Sequence, residues 1–134
     1  MIKLLRQTDY HVLKIENIKF YFRPKTYFDE IEIMSFSEKE GKFKAENLTK
    51  LSVYILENML KKVEGLSYYD GSEFKLELEN DKVSKQCMSD LASIGAATSF
   101  YNMLYKIIGD NDDDLPKNVE IIRAQNFLKS KKKK

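Results

Sequence analysis

The sequence predicts a single α+β domain in which small β-hairpins pack with three to four α-helices, followed by a flexible basic C-terminal tail. Three observations support this fold class. The chain has 134 residues, a length that suits one hydrophobic core. Apolar and polar residues alternate over residues 11–23, as in a half-buried pair of strands. Over residues 45–64, apolar residues recur every three or four positions, as in an amphipathic helix.

The first predicted element is a β-hairpin with a two-residue turn at Glu16-Asn17. This turn would bring the large apolar side chains of both strands to one side of the hairpin. The expected cross-strand pairs are His11 with Phe22, Leu13 with Phe20 and Ile15 with Ile18. The turn is only partly favoured, because Asn tolerates a positive φ and Glu does not. The second strand should end at Arg23-Pro24, since proline cannot donate to a β-ladder.

A short helix is expected to begin after Thr26 and to reach about Phe36. Thr26 is a favourable N-cap residue, and Asp29 places an acid in the first turn. Ile31 and Ile33 alternate with glutamates, so a strand remains an alternative there. Residues 38–44 are expected to form a loop.

The clearest predicted helix spans about residues 45–64, and Gly65 stands where a left-handed C-cap is expected. Its apolar stripe consists of Leu48, Leu51, Ile55, Met59 and Val63. A second hairpin should follow, with Gly71 as the positive-φ residue of a three-residue loop. The expected pairs are Tyr68 with Phe74 and Leu66 with Leu76.

The C-terminal half is predicted to be mainly helical. Asn80-Asp81 can cap a long helical region over about residues 82–108, in which the small residues 95–97 permit a bend or a close helix contact. The acidic stretch 110–116 suits a linker, and Pro116 would open a last helix.

Charge is distributed unevenly along the chain. Residues 117–134 contain seven Lys or Arg residues and one acid, Glu120, although the net charge of the whole chain is only +2. Residues 1–116 then carry a net charge of −4, and we divide the chain into a single α+β domain, 1–109, and an acidic linker with a basic tail, 110–134. The tail has few regularly spaced apolar residues, so its deletion after Gly109 should leave the thermal midpoint nearly unchanged.

The residue inventory argues against catalysis and metal binding. One cysteine, Cys87, and one histidine, His11, cannot build a Cys/His zinc cage. Cys87 also lies on the apolar stripe of a predicted helix, which favours packing in the core. Three alternate aspartates resemble a calcium loop but lack its glycine and glutamate, which excludes an EF-hand: Asp110, Asp112 and Asp114. We expect a non-enzymatic protein without a cofactor or metal.

The apolar runs of the sequence are too short for a membrane helix, which needs roughly 20 residues. We therefore expect a cytoplasmic protein that does not contact a membrane. A small nucleic-acid-binding regulatory protein is the alternative function, because Lys19, Tyr21 and Arg23 should lie on the exposed face of the second strand. The acidic body, residues 1–116, would repel phosphate, so nucleic acid is not the preferred partner.

The order of these elements resembles that of the small tail-assembly chaperones of long-tailed bacteriophages. The resemblance is carried by residues 20–26 (FYFRPKT), 63–66 (VEGL) with Asp70-Gly71, and the helical region 87–108, within about residues 15–109. It implies a protein that coats the long tape-measure protein in the host cytoplasm. The chaperone would keep apolar helices soluble while tube subunits polymerise around them.

The resemblance requires a surface that binds the tape-measure or another tail protein. The long helix is apolar beyond the stripe that its own core needs, and the later helix offers a second apolar set. The candidate partner-binding residues are Tyr54, Leu56, Leu60, Phe100, Met103 and Leu104. The alternative for the first three is packing beneath a hairpin, and self-association is a further open outcome.

Overall fold

The computed structural model describes residues 3–36, 45–94, 100–109 and 115–124. This part of the chain confirms the α+β class. Its strands are β1 (His11–Ile15), β2 (Ile18–Phe22), β3 (Leu60–Glu64), β4 (Leu78–Glu79), β5 (Lys82–Val83) and β6 (Val119–Ile122). Its helices are α1 (Tyr27–Ser35), α2 (Ala45–Met59), α3 (Lys85–Ala92) and α4 (Phe100–Ile107). The main sheet is antiparallel with the order β3-β2-β1-β6, and β4 pairs with β5.

The hairpin of β1 and β2 has the predicted register, with His11 opposite Phe22, Leu13 opposite Phe20 and Ile15 opposite Ile18. Leu13, Phe20 and Phe22 are fully buried, because alternation directs them to the same side of the sheet. The positive φ of the turn falls on Glu16, at 54°, and not on the asparagine that tolerates it better.

The hydrophobic core lies on one side of the main sheet, where α2 packs against α4 and β5. Among the side chains of α2 that the structure describes, the buried ones are Ser52 and the apolar Leu51, Ile55, Leu56 and Met59. Among the residues described, no helix is long and apolar enough to span a membrane.

The predicted long helix is wrong beyond Met59, because residues 60–64 form β3 next to β2. Phe22 pairs with Leu60 and Tyr21 with Lys62, so Lys61 is the extra residue of a β-bulge. The bulge allows Leu60 and Val63, three positions apart, both to face the core. Met59 at the end of α2 and Val63 in β3 are also both buried. They lie four positions apart, which is a helical spacing, and this coincidence explains why the predicted stripe continued to Val63.

Gly65 follows a strand and does not cap a helix. Its φ is +82°, and a Cβ at this position would lie 2.4 Å from the carbonyl oxygen of Asn17. Glycine is therefore required because the backbone passes directly against the turn between β1 and β2.

The second hairpin is shorter than predicted and has a different register. Ser67 bridges Glu73, and the amide of Phe74 donates to the carbonyl of Leu66 at 2.8 Å. Gly71 has the expected positive φ, +88°. Both expected pairs, Leu66 with Leu76 and Tyr68 with Phe74, are therefore wrong. The ring centroids of Tyr68 and Phe74 nevertheless lie 6.0 Å apart.

Asn80-Asp81 forms the turn between β4 and β5 and does not cap a helix. Both residues have positive φ, 52° and 65°. The N-cap of α3 is Ser84, whose hydroxyl accepts a hydrogen bond from the amide of Cys87 at 3.2 Å. Asn and Asp favour both helix caps and tight turns, so the pattern did not distinguish the two. The predicted helix over 82–108 is thus wrong at its start, where Lys82–Val83 form β5. The remainder contains α3 and α4, with residues 95–99 outside the described ranges.

The predicted last helix is the strand β6, which pairs with β1 through Val119 opposite Ile15 and Ile121 opposite Leu13. The side chains of Val119 and Ile121 are buried. Just after β6, the amide of Ala124 donates a hydrogen bond to His11 Nδ1 at 3.0 Å. The predicted division at residue 109 therefore separates two strands that are hydrogen-bonded to each other. The predicted loop over 38–44, the stretch 110–114 and the end of the tail, 125–134, lie outside the described residues.

Candidate protein-binding surface

The sequence-predicted partner residues lie mainly in the core. Leu56, Leu60 and Leu104 are fully buried and Met103 is nearly so, because α2, β3 and α4 pack together. Phe100 begins α4, but its side chain is outside the described part. Leu56 and Leu60 thus contribute to the core of the protein itself. A partner could reach these side chains only if the core opened.

Tyr54 is the exception, because it joins α2 to α1. Its hydroxyl donates a hydrogen bond of 2.7 Å to Asp29 Oδ1, and its ring lies 6.2 Å from that of Phe36. Tyr54 is half-buried and serves to hold α1 in place.

The outer surface of α1 carries four large apolar side chains. Tyr27 is 75% exposed, Phe28 77%, Ile31 49% and Met34 65%. Their spacing places them along one side of the helix, and we call them the α1 apolar face. Four such residues expose an apolar area on the order of 400 Å², which is the size of the largest apolar patch on a typical monomeric protein, and such patches are often functional.

The opposite side of α1 contains a buried acid. Asp29 is only 2% exposed, and Ile33 is the buried apolar residue of this helix. Most surface helices turn apolar residues inward and charged residues outward. This helix has a carboxylate inside and four apolar side chains outside.

Thr26 and Asp29 form a capping box that fixes the start of α1. The Asp29 amide donates to Thr26 Oγ1 at 3.2 Å, and the Thr26 amide donates to Asp29 Oδ2 at 2.7 Å. These two bonds satisfy backbone donors that a helix start otherwise leaves without partners. The sequence therefore determines both the start of α1 and the inward direction of Asp29.

Arg23, the residue that follows β2, provides the second attachment of α1. Its guanidinium group binds both carboxylate oxygens of Asp29, with Nη2 donating to Oδ1 at 2.9 Å. Arg23 Nε also donates to the carbonyl of Asn58 at 3.2 Å, near the end of α2. One arginine thus links β2, α1 and α2.

The electrostatics of this cluster favour an ionised Asp29. Burial opposes ionisation, but hydrogen bonds from Arg23, Thr26 and Tyr54 outweigh it and hold the pKa of the carboxyl well below its usual value. Burial and the bond to Asp29 raise the pKa of Tyr54 to about 12. At neutral pH the cluster is therefore a carboxylate surrounded by donors.

The residues of the alternative nucleic-acid surface are largely engaged within the protein. Arg23 forms an ion pair with Asp29, and the Tyr21 hydroxyl donates a hydrogen bond to Glu64 Oε2 at 3.0 Å. Lys62 Nζ lies 5.3 Å from the centre of the Tyr21 ring and 2.8 Å from Glu64. Across the sheet, the lysine pair Lys14 and Lys19 is flanked by Glu120 and Glu64 at paired positions. An acid therefore lies on either side of the lysine pair on this face.

Within the described ranges, no group of three or more His, Cys, Asp or Glu residues is placed to hold a metal ion. Cys87 is buried, and its sulfur lies 3.7 Å from the carbonyl oxygen of Lys75. Comparisons with protein-family models, curated proteins and solved structures gave no match for this chain.

Sequence reasoning identified α1 and its cap but missed the exposed face. The signal is present in residues 27–34, YFDEIEIM, where five of eight residues are apolar. A short helix on the surface of a domain can bury only one or two of them. The excess of apolar residues predicts a second, outward apolar side.

Proposed function

We propose that this protein is a non-enzymatic bacteriophage tail-assembly chaperone that binds apolar helices of the tape-measure protein through the α1 apolar face, in the host cytoplasm. The observation that carries the proposal is the orientation of α1, with Asp29 inward and four large apolar side chains outward. The resemblance of residues 15–109 to tail-assembly chaperones supplies the class of partner.

The exposed apolar area supplies a driving force for association. Removing apolar surface from water contributes about 25 cal/mol per Å², so covering most of this face would favour a complex by several kcal/mol before ordering costs. Tyr27 and Phe28 are aromatic, and aromatic residues are enriched among those that dominate binding energy. The face therefore has the composition of a binding surface.

The attachment of α1 reduces the cost of binding. The capping box and the Arg23–Asp29 ion pair hold the helix before a partner arrives. A partner then gains contacts without first ordering this segment. Tyr27, Ile31 and Met34 are spaced by four and three residues, which forms a stripe that one helix can follow along α1.

The test is co-expression with the very long helical protein that should be encoded immediately downstream. A variant carrying Tyr27→Ser, Phe28→Ser and Ile31→Ser removes most of the face, whereas Tyr69→Ser is the matched control on a different exposed aromatic residue. We expect the unaltered chain and the control to co-purify with the long protein and keep it soluble. The triple variant should remain folded and lose both effects. Equal co-purification of all three chains would contradict the proposal.

The nucleic-acid alternative lacks comparable support. Glu64 and Glu120 flank the lysine pair on the outer side of the sheet, and Arg23 and Tyr21 form contacts within the protein. Tight binding of single strands together with no affinity for the helical protein would favour it.

A further inference from the structure

The α1 apolar face has an acidic rim. An α-helix turns by about 100° per residue, so Glu30 and Glu32 fall on opposite sides of a stripe centred on Ile31. Both glutamates are accessible to solvent, with 46% of the Glu30 side chain exposed. α1 contains no lysine or arginine.

The two glutamates differ in their surroundings. Lys25, which lies just before α1, forms an ion pair with Glu30. Among the residues that the structure describes, none forms an ion pair with Glu32. The last turn of α1 has no basic residue, so the negative end of the helix dipole adds to the negative electrostatic potential around Glu32.

From this rim we infer that the segment bound by α1 is an amphipathic helix whose apolar stripe is flanked by lysine or arginine. The inference rests on the proposed function and adds the charge of the partner. Basic flanks would meet Glu32 and the helix end while the apolar residues cover Ile31 and its neighbours. Charges at the rim of an interface act mainly on the association rate and its salt dependence.

A second copy of this chain fits the face less well. Two α1 helices packed face to face would bring Glu30 and Glu32 of one copy near those of the other. Like charges at short range oppose association and exclude the wrong partner. The rim therefore favours a different chain with the opposite charge.

The experiment compares two synthetic 18-residue helical peptides with the same Leu, Phe and Met stripe. One peptide carries lysine at the flanking positions and the other carries glutamate. At about 50 mM salt, we expect the lysine peptide to associate roughly tenfold faster with the full chain. The ratio of the two association rates, lysine peptide over glutamate peptide, should approach one at about 500 mM salt, where charges on the surface are screened.

Two single substitutions should shift this ratio in opposite directions. Glu32→Gln removes an acid from the rim, so the ratio should fall by roughly threefold. Lys25→Gln leaves Glu30 without its partner, so the ratio should rise. Glu79→Gln, which removes an exposed acid on β4, is the control and should leave the ratio unchanged. Thermal unfolding of each variant verifies that the fold is retained.

The outcomes separate the inference from the proposed function. Equal rates for the two peptides, or a faster glutamate peptide, would overturn the basic partner while leaving helix binding intact. Absence of binding by both peptides would overturn helix binding itself. A dimer of the free protein that Ile31→Ser abolishes would identify a second copy as the occupant and also overturn the inference.

Discussion

Tyr54 on α2 donates a hydrogen bond of 2.7 Å to Asp29 on α1, and this bond joins the two helices at a buried carboxylate. Arg23, the residue that follows β2, binds the same carboxylate, so the end of β2, α1 and α2 meet at one side chain. The α1 apolar face depends on this cluster, because the inward Asp29 sets the rotation of the helix that turns Tyr27 and Ile31 outward.

Asp29→Asn should strongly destabilise the protein. The substitution keeps the shape of the side chain but leaves the Arg23 guanidinium largely buried without its counter-charge. Breaking a buried ion pair in this way costs about 3–5 kcal/mol. Urea unfolding measures the loss, and Glu30→Gln is the control, with an expected change within about 0.5 kcal/mol. Similar midpoints for the two variants would show that the cluster does not hold α1.

The stability of the protein should decrease in acid because of Asp29. The pKa of this carboxyl is lower in the folded chain than in the unfolded chain, where it is about 3.9. Its contribution is therefore complete above the unfolded value and is lost as the pH falls toward the folded value. The difference in unfolding free energy between the unaltered chain and Asp29→Asn should be constant from about pH 5 to 7. It should shrink below about pH 4, and a constant difference down to pH 2 would contradict this assignment.

Truncation after Gly109 should lower the thermal midpoint by more than about 8 °C. The shortened chain loses β6, with its buried Val119 and Ile121 and its hydrogen bonds to β1. Each buried side chain contributes about 1.5–3 kcal/mol. Truncation after Ala124 retains β6 and is the matched control, with a small expected change. An unchanged midpoint for the shorter chain would mean that β6 adds nothing to the sheet.

Gly65→Ala and Gly71→Ala form a matched pair with different expected costs. Both positions have a positive φ, so either alanine is disfavoured by about 1 kcal/mol. At Gly65 the new Cβ would also lie 2.4 Å from Asn17 O, whereas nothing lies within 4 Å of it at Gly71. We expect a loss of about 2 kcal/mol or more for Gly65→Ala in urea unfolding. Equal costs at the two positions would disprove the close approach.

The sequence predicted local features well where one pattern has a single structural meaning. The alternation in β1 and β2 gave the correct register, because a shift of one residue would have exposed Phe20 and Phe22. Thr26 and Asp29 gave the start of α1, because few residue pairs satisfy both donors of a capping box.

Other elements could not be distinguished because one pattern serves two structures. The bulge at Lys61 gives β3 a helical spacing, and Asn80-Asp81 suits both a cap and a turn. β6 was missed because Pro116 and the surrounding charges favoured a helix in a tail, although Val119 and Ile121 alternate as in a strand. Pairing between β1 and β6 joins positions more than 100 residues apart, which no local pattern encodes.

The affinity of the α1 apolar face for a helical tape-measure segment, measured by titration calorimetry at 200 mM salt or higher, tests the central claim most directly. The triple variant Tyr27→Ser, Phe28→Ser, Ile31→Ser should bind at least about thirtyfold more weakly, equivalent to about 2 kcal/mol. Tyr69→Ser should change the affinity less than about twofold, because the residue lies outside the face. Equal affinities of the triple variant and the unaltered chain for the helical segment would contradict this claim. Binding to single-stranded nucleic acid alone, with an affinity that falls about a thousandfold between 50 and 200 mM salt, would contradict it as well.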